Sequence, residues 1–568
     1  MYKKVFAERT SYNKYDIHLW EDKGYSKVRW NHQAYRECHE HDATHTGLNG
    51  EALQKVAKWE KKDTKLHFHD MPPYQKFLIE KYETNDTPST THKEVFFDIE
   101  IEMGDALTQP YIKSAPKKVT SIAWYDKQVD LWGILILDPK NKIQPYEGEN
   151  KKIIPVRTEQ GLLAKFLEIF REMDPDIIVG YNSDYFDIPY LYYRICNVLG
   201  TDYAQYLSPI GIVTERLNYE TGEYWNKDQP IEIAGVQSLD YMRMHKKYSW
   251  EDEPSWKLDD LGIKYVGLGK IEYNGSLDRL FEEDPEKFMD YNFRDVEILV
   301  KWDEKSQYLT LTKNLSHKGK INYSDVYASS KIHDGAISSY LLSKDIIPPA
   351  RQRDPIIKEY AGGYLFCPKA GIYNYMFDED LTSQYPTIIM TLNIGRETLV
   401  GRIVDSDDRN NRLGLNDLRA KDPEEELLVE NHKRKRTHIT AQQLIDIIIK
   451  NKYALSANGV FFSTTRKSVL STILSGWFDE RTIYKDKMKA AYNSQDPVGG
   501  ASYFLLQYTQ KILLNSLYGA LALKGFRYGN VILAEATTLT GQRIIQESAL
   551  TVNRHMNKVI KGEIEWVS

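Results

Sequence analysis

The sequence runs to 568 residues, with 41% hydrophobic and 27% charged side chains and a formal net charge of −6. At roughly 150 residues per domain that length exceeds a single hydrophobic core and implies around four folding units of ordinary soluble composition. Three scattered cysteines, Cys38, Cys196 and Cys367, argue against a disulfide framework or a cysteine-type zinc knuckle. No run approaches the roughly 18 apolar residues of a membrane span, so a cytoplasmic protein with no membrane attachment is expected.

The first 92 residues mix short strand-like stretches with polar turns and carry a histidine-rich run, Cys38-His39-Glu40-His41-Asp42, followed by His45, His67 and His69. That spacing matches no common structural zinc site and reads as a solvated polar loop. From Glu94 the pattern changes to apolar strands around Val95-Phe96-Phe97, Thr120 to Trp124 and Leu131 to Leu137. A helical stretch from Gly161 to Met173 and a strand Ile177-Ile178-Val179 follow. Strand, helix, strand order predicts an α/β domain with a largely buried sheet.

This block holds the first chemical constellation. Asp98 and Glu100 lie two apart in EVFFDIE, so the pleat puts both carboxylates on one face. Asn182, Phe186 and Asp187 follow the strand at Ile177, where a polar loop runs into a helix start. Tyr291 and Asp295 are four apart on a predicted helix and project from one side. Four carboxylates and a phenol make a hard oxygen set suited to Mg²⁺ or Mn²⁺.

A second block begins near Tyr360. The element Tyr360-Ala361-Gly362-Gly363 offers glycines that let backbone approach a phosphate. Asp380 is expected to end a strand, YNYMFDED, and Pro386 to open a helix. The charge-dense segment from Asp405 to Arg436, ending Lys433-Arg434-Lys435-Arg436, reads as a solvated insertion or a phosphate-facing patch. Arg481 and Lys485 are four apart in GWFDERTIYKDKMKAAY, and Lys511, Asn515 and Tyr518 share a face of KILLNSLYGALA.

In chain order, FDIE, N-x-x-x-FD and Y-x-x-x-D resemble the three exonuclease motifs of family B DNA polymerases. The strings D-L-T-S-Q-Y-P and K-x-x-x-N-S-x-Y-G resemble that family's polymerase motifs. The resemblance is to the phage branch and covers nearly the whole chain. It implies an α/β multidomain protein: an RNase H-like 3′→5′ exonuclease domain, a partial α+β palm and helical fingers, with the thumb absent. The implied boundaries are an N-terminal domain over 1–92 with a return segment about 306–355, the exonuclease over 93–305, palm over 356–462 and 522–568, and fingers over 463–521.

By the same resemblance Asp98, Glu100, Asp187 and Asp295 would hold two Mg²⁺, or Mn²⁺, with Tyr291 orienting a water and Phe186 lining a slot for the frayed 3′ end. Asp380 and the Leu381 carbonyl would bind the polymerase metals, again two. Ser383, Tyr385, Arg481, Lys485, Lys511, Asn515 and Tyr518 would bind the nucleotide, and Tyr360, Gly362 and Gly363 the DNA. Gln384 and Thr387 stand where the family pattern has leucine and serine. The family's D-T-D carboxylate pair is not in the sequence. The expected reading is therefore a replicative DNA polymerase portion with proofreading. Its partners would be primer-template DNA, dNTPs, a C-terminal polymerase chain and, through that chain, a sliding clamp. The alternative is a DNA-binding regulator or scaffold with exonuclease activity alone.

Overall fold

The computed structural model describes residues 1–561 apart from 57, 61–62, 64, 103–108, 217–229, 250, 353–361, 368, 373–379, 405–412 and 524. The chain divides into two compact units. Met1–His32, Pro72–Leu78 and Asn85–Ala328 form the first, and Gln33–Met71, Ile79–Thr84 and Ser329–Ser568 the second.

The first unit is built on a mixed sheet of seven described strands. Their order is Tyr146–Glu147, Lys151–Val156, Leu131–Leu137, Val119–Asp126, Glu94–Ile101, Ile177–Gly180 and Gln237–Asp240. Glu94–Ile101 pairs antiparallel with Val119–Asp126 and parallel with Ile177–Gly180. The central strands read as near-continuous apolar runs because both faces are covered. One cover is the helix Glu159–Met173, whose Leu162, Leu163, Phe166, Leu167 and Phe170 are buried in the core with Phe97, Trp124 and Leu135. Thr158 caps that helix by accepting from the Gly161 amide, and Asp174 ends it in the left-handed conformation. Each large apolar side chain buried in this way stabilises the unit by about 1.5–3 kcal/mol. The helix Pro285–Ser306 buries Phe288, Tyr291, Asn292, Asp295 and Val296 among others, so polar and apolar residues share its inner face.

The second unit contains two sheets of short strands. In one, Ile346–Ile347 joins His45–Gly47 in parallel, so residues some 300 apart in sequence close a single sheet. The other has the order Arg436–Thr440, Glu426–Asn431, Leu399–Ile403, Val460–Phe462 and Ala454–Leu455. It buries Leu427 and Phe461 against Leu444 and Ile448 of the helix Ala441–Asn451. Thr440 and Gln443 form a capping box at the start of that helix. Two 25-residue helices, Val469–Asn493 and Pro497–Leu521, pack on each other, and the helix Val531–Ile560 follows. Among the described residues no helix is long and apolar enough to cross a membrane.

Candidate active site

Three separated stretches of the first unit converge on one acidic centre. Asp98 and Glu100 leave the same face of Glu94–Ile101, opposite Ala123 and Ser121 of the neighbouring strand. Asp295 reaches them from Pro285–Ser306, and ligand atoms of the three carboxylates lie within 4.8 Å of one another. Asp187, the first residue of the helix Asp187–Val198, is buried, and its Oδ1 accepts from the Ile99 amide at 3.2 Å. The loop leading to it is held by two further acids. Asp240 accepts from the Asn182 amide at 3.1 Å, and Asp184 accepts from Ser238 and from Arg243, the latter at 2.8 Å. Phe186 precedes the helix and packs on Tyr190 at 5.4 Å between ring centroids.

The electrostatics follow from crowding. Burial and then the charges of Asp295, Asp187 and Glu100 push the Asp98 carboxyl well above the ordinary range. Burial and then Asp295 lift Glu100 to about 8. Burial also lifts Asp187 to about 7. Lys270 faces this group, donating to Asp295 Oδ2 at 2.5 Å and to the Tyr291 hydroxyl at 3.0 Å. Burial alone would favour the neutral amine, but Asp295, Tyr291 and Asp98 outweigh it and raise the Lys270 pKa. Ionising all four carboxyls together is therefore costly, since like charges at this separation repel by roughly 3 kcal/mol per pair at an effective dielectric of about 20.

Divalent cations fit that donor set. The oxygens are hard, they converge, and Asp295 Oδ1 is buried with no hydrogen-bond partner, which leaves it open to a ligand. The arrangement is also braced from behind. Asn292 Nδ2 donates to Asp98 Oδ2 at 2.6 Å, and Asn292 Oδ1 accepts from Ser121 Oγ at 2.7 Å. Asn292 is fully buried, so its role is to aim the carboxylate. Asn292→Leu is expected to weaken Mn²⁺ binding about 10- to 100-fold, as read by titration calorimetry, because outer partners of metal ligands typically contribute that much.

Asp98, Glu100, Asp187 and Asp295 therefore lie in or beside this centre, and Tyr291 and Asp295 project from one helix. Lys270, Asn292, Ser121 and Asp240 were not anticipated. Asn292 and Asp295 are three apart on the helix, a spacing that could have flagged Asn292. Lys270 stands alone in a loop, its amide donating to Asp259 Oδ1 at 2.6 Å, and no sequence period announces it.

The second unit holds the other motif residues. Asp380 and Leu381 are exposed just before the helix Gln384–Thr391. That helix starts two residues earlier than the proline implied, because Ser383 turns the chain at φ 53° and Pro386 occupies the third helical position. The Tyr385 and Tyr518 rings lie 4.4 Å apart between centroids. Gln384 Nε2 donates to the Gly541 carbonyl at 3.0 Å, so the amide that replaces the pattern's leucine is tied to the helix Val531–Ile560. A Cβ on Gly363 would stand 3.1 Å from the Tyr385 hydroxyl, and the Gly362 carbonyl accepts from Gln542 at 2.7 Å. Arg481 and Lys485 lie on Val469–Asn493, and Lys511, Asn515 and Tyr518 on the adjoining Pro497–Leu521. Tyr360, most of the strand expected before Asp380, residues 405–412 and 562–568 lie outside the described residues.

Comparison with known proteins adds independent evidence. Residues 58–261 match the family model described as DNA polymerase family B, exonuclease domain, and residues 327–566 that described as DNA polymerase family B. The chain is similar to the DNA-directed DNA polymerase of Escherichia phage RB69, 26% identical over 543 residues, covering 83% of this chain and 56% of that protein. It is also similar to the DNA-directed DNA polymerase of Enterobacteria phage T4, 26% identical over 456 residues, covering 72% and 47%. A DNA polymerase of Pyrococcus glycovorans is 24% identical over 495 residues, covering 84% and 53%. The chain spans about half the length of these curated relatives.

Proposed function

From the premise that this chain belongs to DNA polymerase family B, we propose that its first unit is a 3′→5′ exonuclease acting on DNA ends and its second the nucleotide-binding portion of a DNA-directed DNA polymerase. The observation that carries the exonuclease reading is the convergence of Asp98, Glu100 and Asp295 around a buried, unpartnered carboxylate oxygen.

In the proposed reaction Asp98, Glu100, Asp187 and Asp295 hold two divalent cations, Mg²⁺ or Mn²⁺, which when bound supply Lewis-acid stabilisation of attacking and leaving oxygens. The Tyr291 hydroxyl, fixed by Lys270, orients a water toward the terminal phosphodiester. The water oxygen bonds to phosphorus, the bond to the 3′ oxygen breaks, and a 5′-mononucleotide leaves. Phe186 lines the slot for the unpaired terminal base.

For the second unit, palm and fingers roles are proposed. Asp380 and the Leu381 carbonyl contribute to metal binding, Ser383 and Tyr385 seat the sugar, and Gly362 and Gly363 approach the DNA backbone. Arg481, Lys485 and Lys511 receive the triphosphate, with Asn515 and Tyr518 beside the nascent pair. Transfer needs a further carboxylate beside Asp380. A second reading is a DNA-binding regulator or scaffold whose only catalysis is exonucleolytic.

One experiment covers both. With Mg²⁺ and a 5′-labelled single strand the chain is expected to release mononucleotides, to stop on chelation and to resume with Mg²⁺ or Mn²⁺. Degradation that survives chelation would falsify the exonuclease assignment. Primer extension is expected only when a polypeptide bearing the D-T-D carboxylates is added. Its absence even then selects the scaffold reading.

A further inference from the structure

The second unit contains a cavity of about 760 Å³ that none of the motif residues lines. Its walls carry an unusual density of guanidinium. Arg396, Arg402, Arg434, Arg436, Arg466 and Arg527 all border it, against two acids, Glu397 and Glu430.

Among the lining residues arginines outnumber acids. Glu430 is shared, accepting from Arg402 and from Arg436, each at 3.0 Å, so one carboxylate stands between two cations. Arg466 donates to the carbonyls of Leu48 at 3.0 Å and Glu397 at 3.2 Å, and Arg396 to the Gly529 carbonyl and to Gln352 Oε1. These oxygens orient the guanidinium groups, and the charges of Arg466 and Arg396 act on the Glu397 carboxyl. The Glu397 carboxyl accepts from the Val469 amide at 2.6 Å, and burial raises its pKa. Arg527 is the exception: Asp70 and Asp334 neutralise it, so it is wall and not ligand.

Guanidinium groups held by carbonyls and lining a cavity match the forked geometry of phosphate oxygens. The basic surface also continues outward. The turn joining Glu426–Asn431 to Arg436–Thr440 exposes His432, Lys433, Arg434 and Lys435, of which His432 and Arg434 reach the cavity. A cation track running from an exposed turn into a cavity suits an extended polyanion better than a compact one.

We infer that this cavity and the adjoining basic turn hold successive phosphates of a nucleic-acid strand, at a site separate from both the acidic centre and the nucleotide motif. The identification of that strand as DNA rests on the proposed function.

The test uses the full chain carrying Asp98→Ala and Glu100→Ala, with chelator, and a fluorescein-labelled single-stranded thymidylate 20-mer followed by anisotropy across a salt series. Each phosphate contact on a single strand contributes about 0.7 to the slope of log affinity against log salt. Lys433→Gln/Arg434→Gln/Lys435→Gln alters only exposed turn residues, so folding is preserved; the slope is expected to fall by about 2. Arg466→Gln, inside the cavity, is expected to lower it by about 0.7. Unchanged affinity and slope in both variants overturn the inference. So does a saturable site for dTTP or inorganic tripolyphosphate that Arg466→Gln abolishes while 20-mer binding is untouched, since the cavity is then a free-nucleotide site. Failure of the proposed function is read separately, as absence of exonuclease activity in the unmutated chain.

Discussion

Replacing Asp98 and Glu100 together by alanine is expected to lower exonuclease turnover by about 10³-fold or more while leaving the first unit folded. Stabilisation of developing charge by bound cations is worth several kcal/mol, and each 1.36 kcal/mol is a factor of ten in rate. Removing two of the three carboxylates that meet within 4.8 Å takes away the centre that would hold those cations. An ordinary destabilising core mutation would also abolish activity, so stability is the discriminating measurement. Here the two lost groups repel their neighbours, and both sit above the ordinary carboxylate range. The metal-free variant should therefore melt at the same temperature as the parent or higher. The sign with pH agrees. Glu100 folded titrates at about 8, above its unfolded value, so the folded state binds the extra proton and the metal-free parent loses stability as pH rises between the two values. That loss should shrink in the variant. A lower melting temperature together with unaltered pH dependence would mean that these acids serve the fold and not a cation.

Much of this centre is legible in the sequence because it is local. The two-residue period of a strand places Asp98 and Glu100 on one face, and the helical period does the same for Tyr291 and Asp295. The strand Leu131–Leu137 and the helix ending at Met173 also follow from periodic apolar runs. What escapes is whatever tertiary packing alone decides. Lys270 enters the site from a loop, and Asn292 matters only because Ser121 and Asp98 stand on either side of it. The helix at Gln384 begins where a left-handed serine allows, not where a proline signal points. The basic run near Arg434 is visible as charge, but its junction with Arg396 and Arg466 in one cavity depends on strand pairing.

The longest-range case is Arg527, and replacing it by leucine is expected to destabilise the second unit by about 3–5 kcal/mol. Its guanidinium is fully buried and donates to Asp70 at 2.6 Å, Asp334 at 2.8 Å and the Pro349 carbonyl at 2.5 Å. Arg351 donates to the other oxygen of Asp334 at 2.8 Å, so two arginines and two aspartates compensate one another. Leucine approximates the packing volume but leaves Asp334, itself buried, with half its partners. The penalty is that of an uncompensated buried charge, not the modest net worth of an ion pair. Asp70 gives an internal check. Burial works to raise its carboxyl, but Arg527 and the Arg351 amide hold it below the ordinary value. A depressed folded value means that this contribution is present above the unfolded carboxylate range and is lost as pH falls through the folded value. Denaturant unfolding of the second unit should show a large parent-to-variant difference at neutral pH that narrows in acid. Restoring neutrality with Asp334→Asn in the Arg527→Leu background should recover part of the stability. If the double variant is no better than the single one, packing around residue 527 and not charge compensation accounts for its stabilising effect.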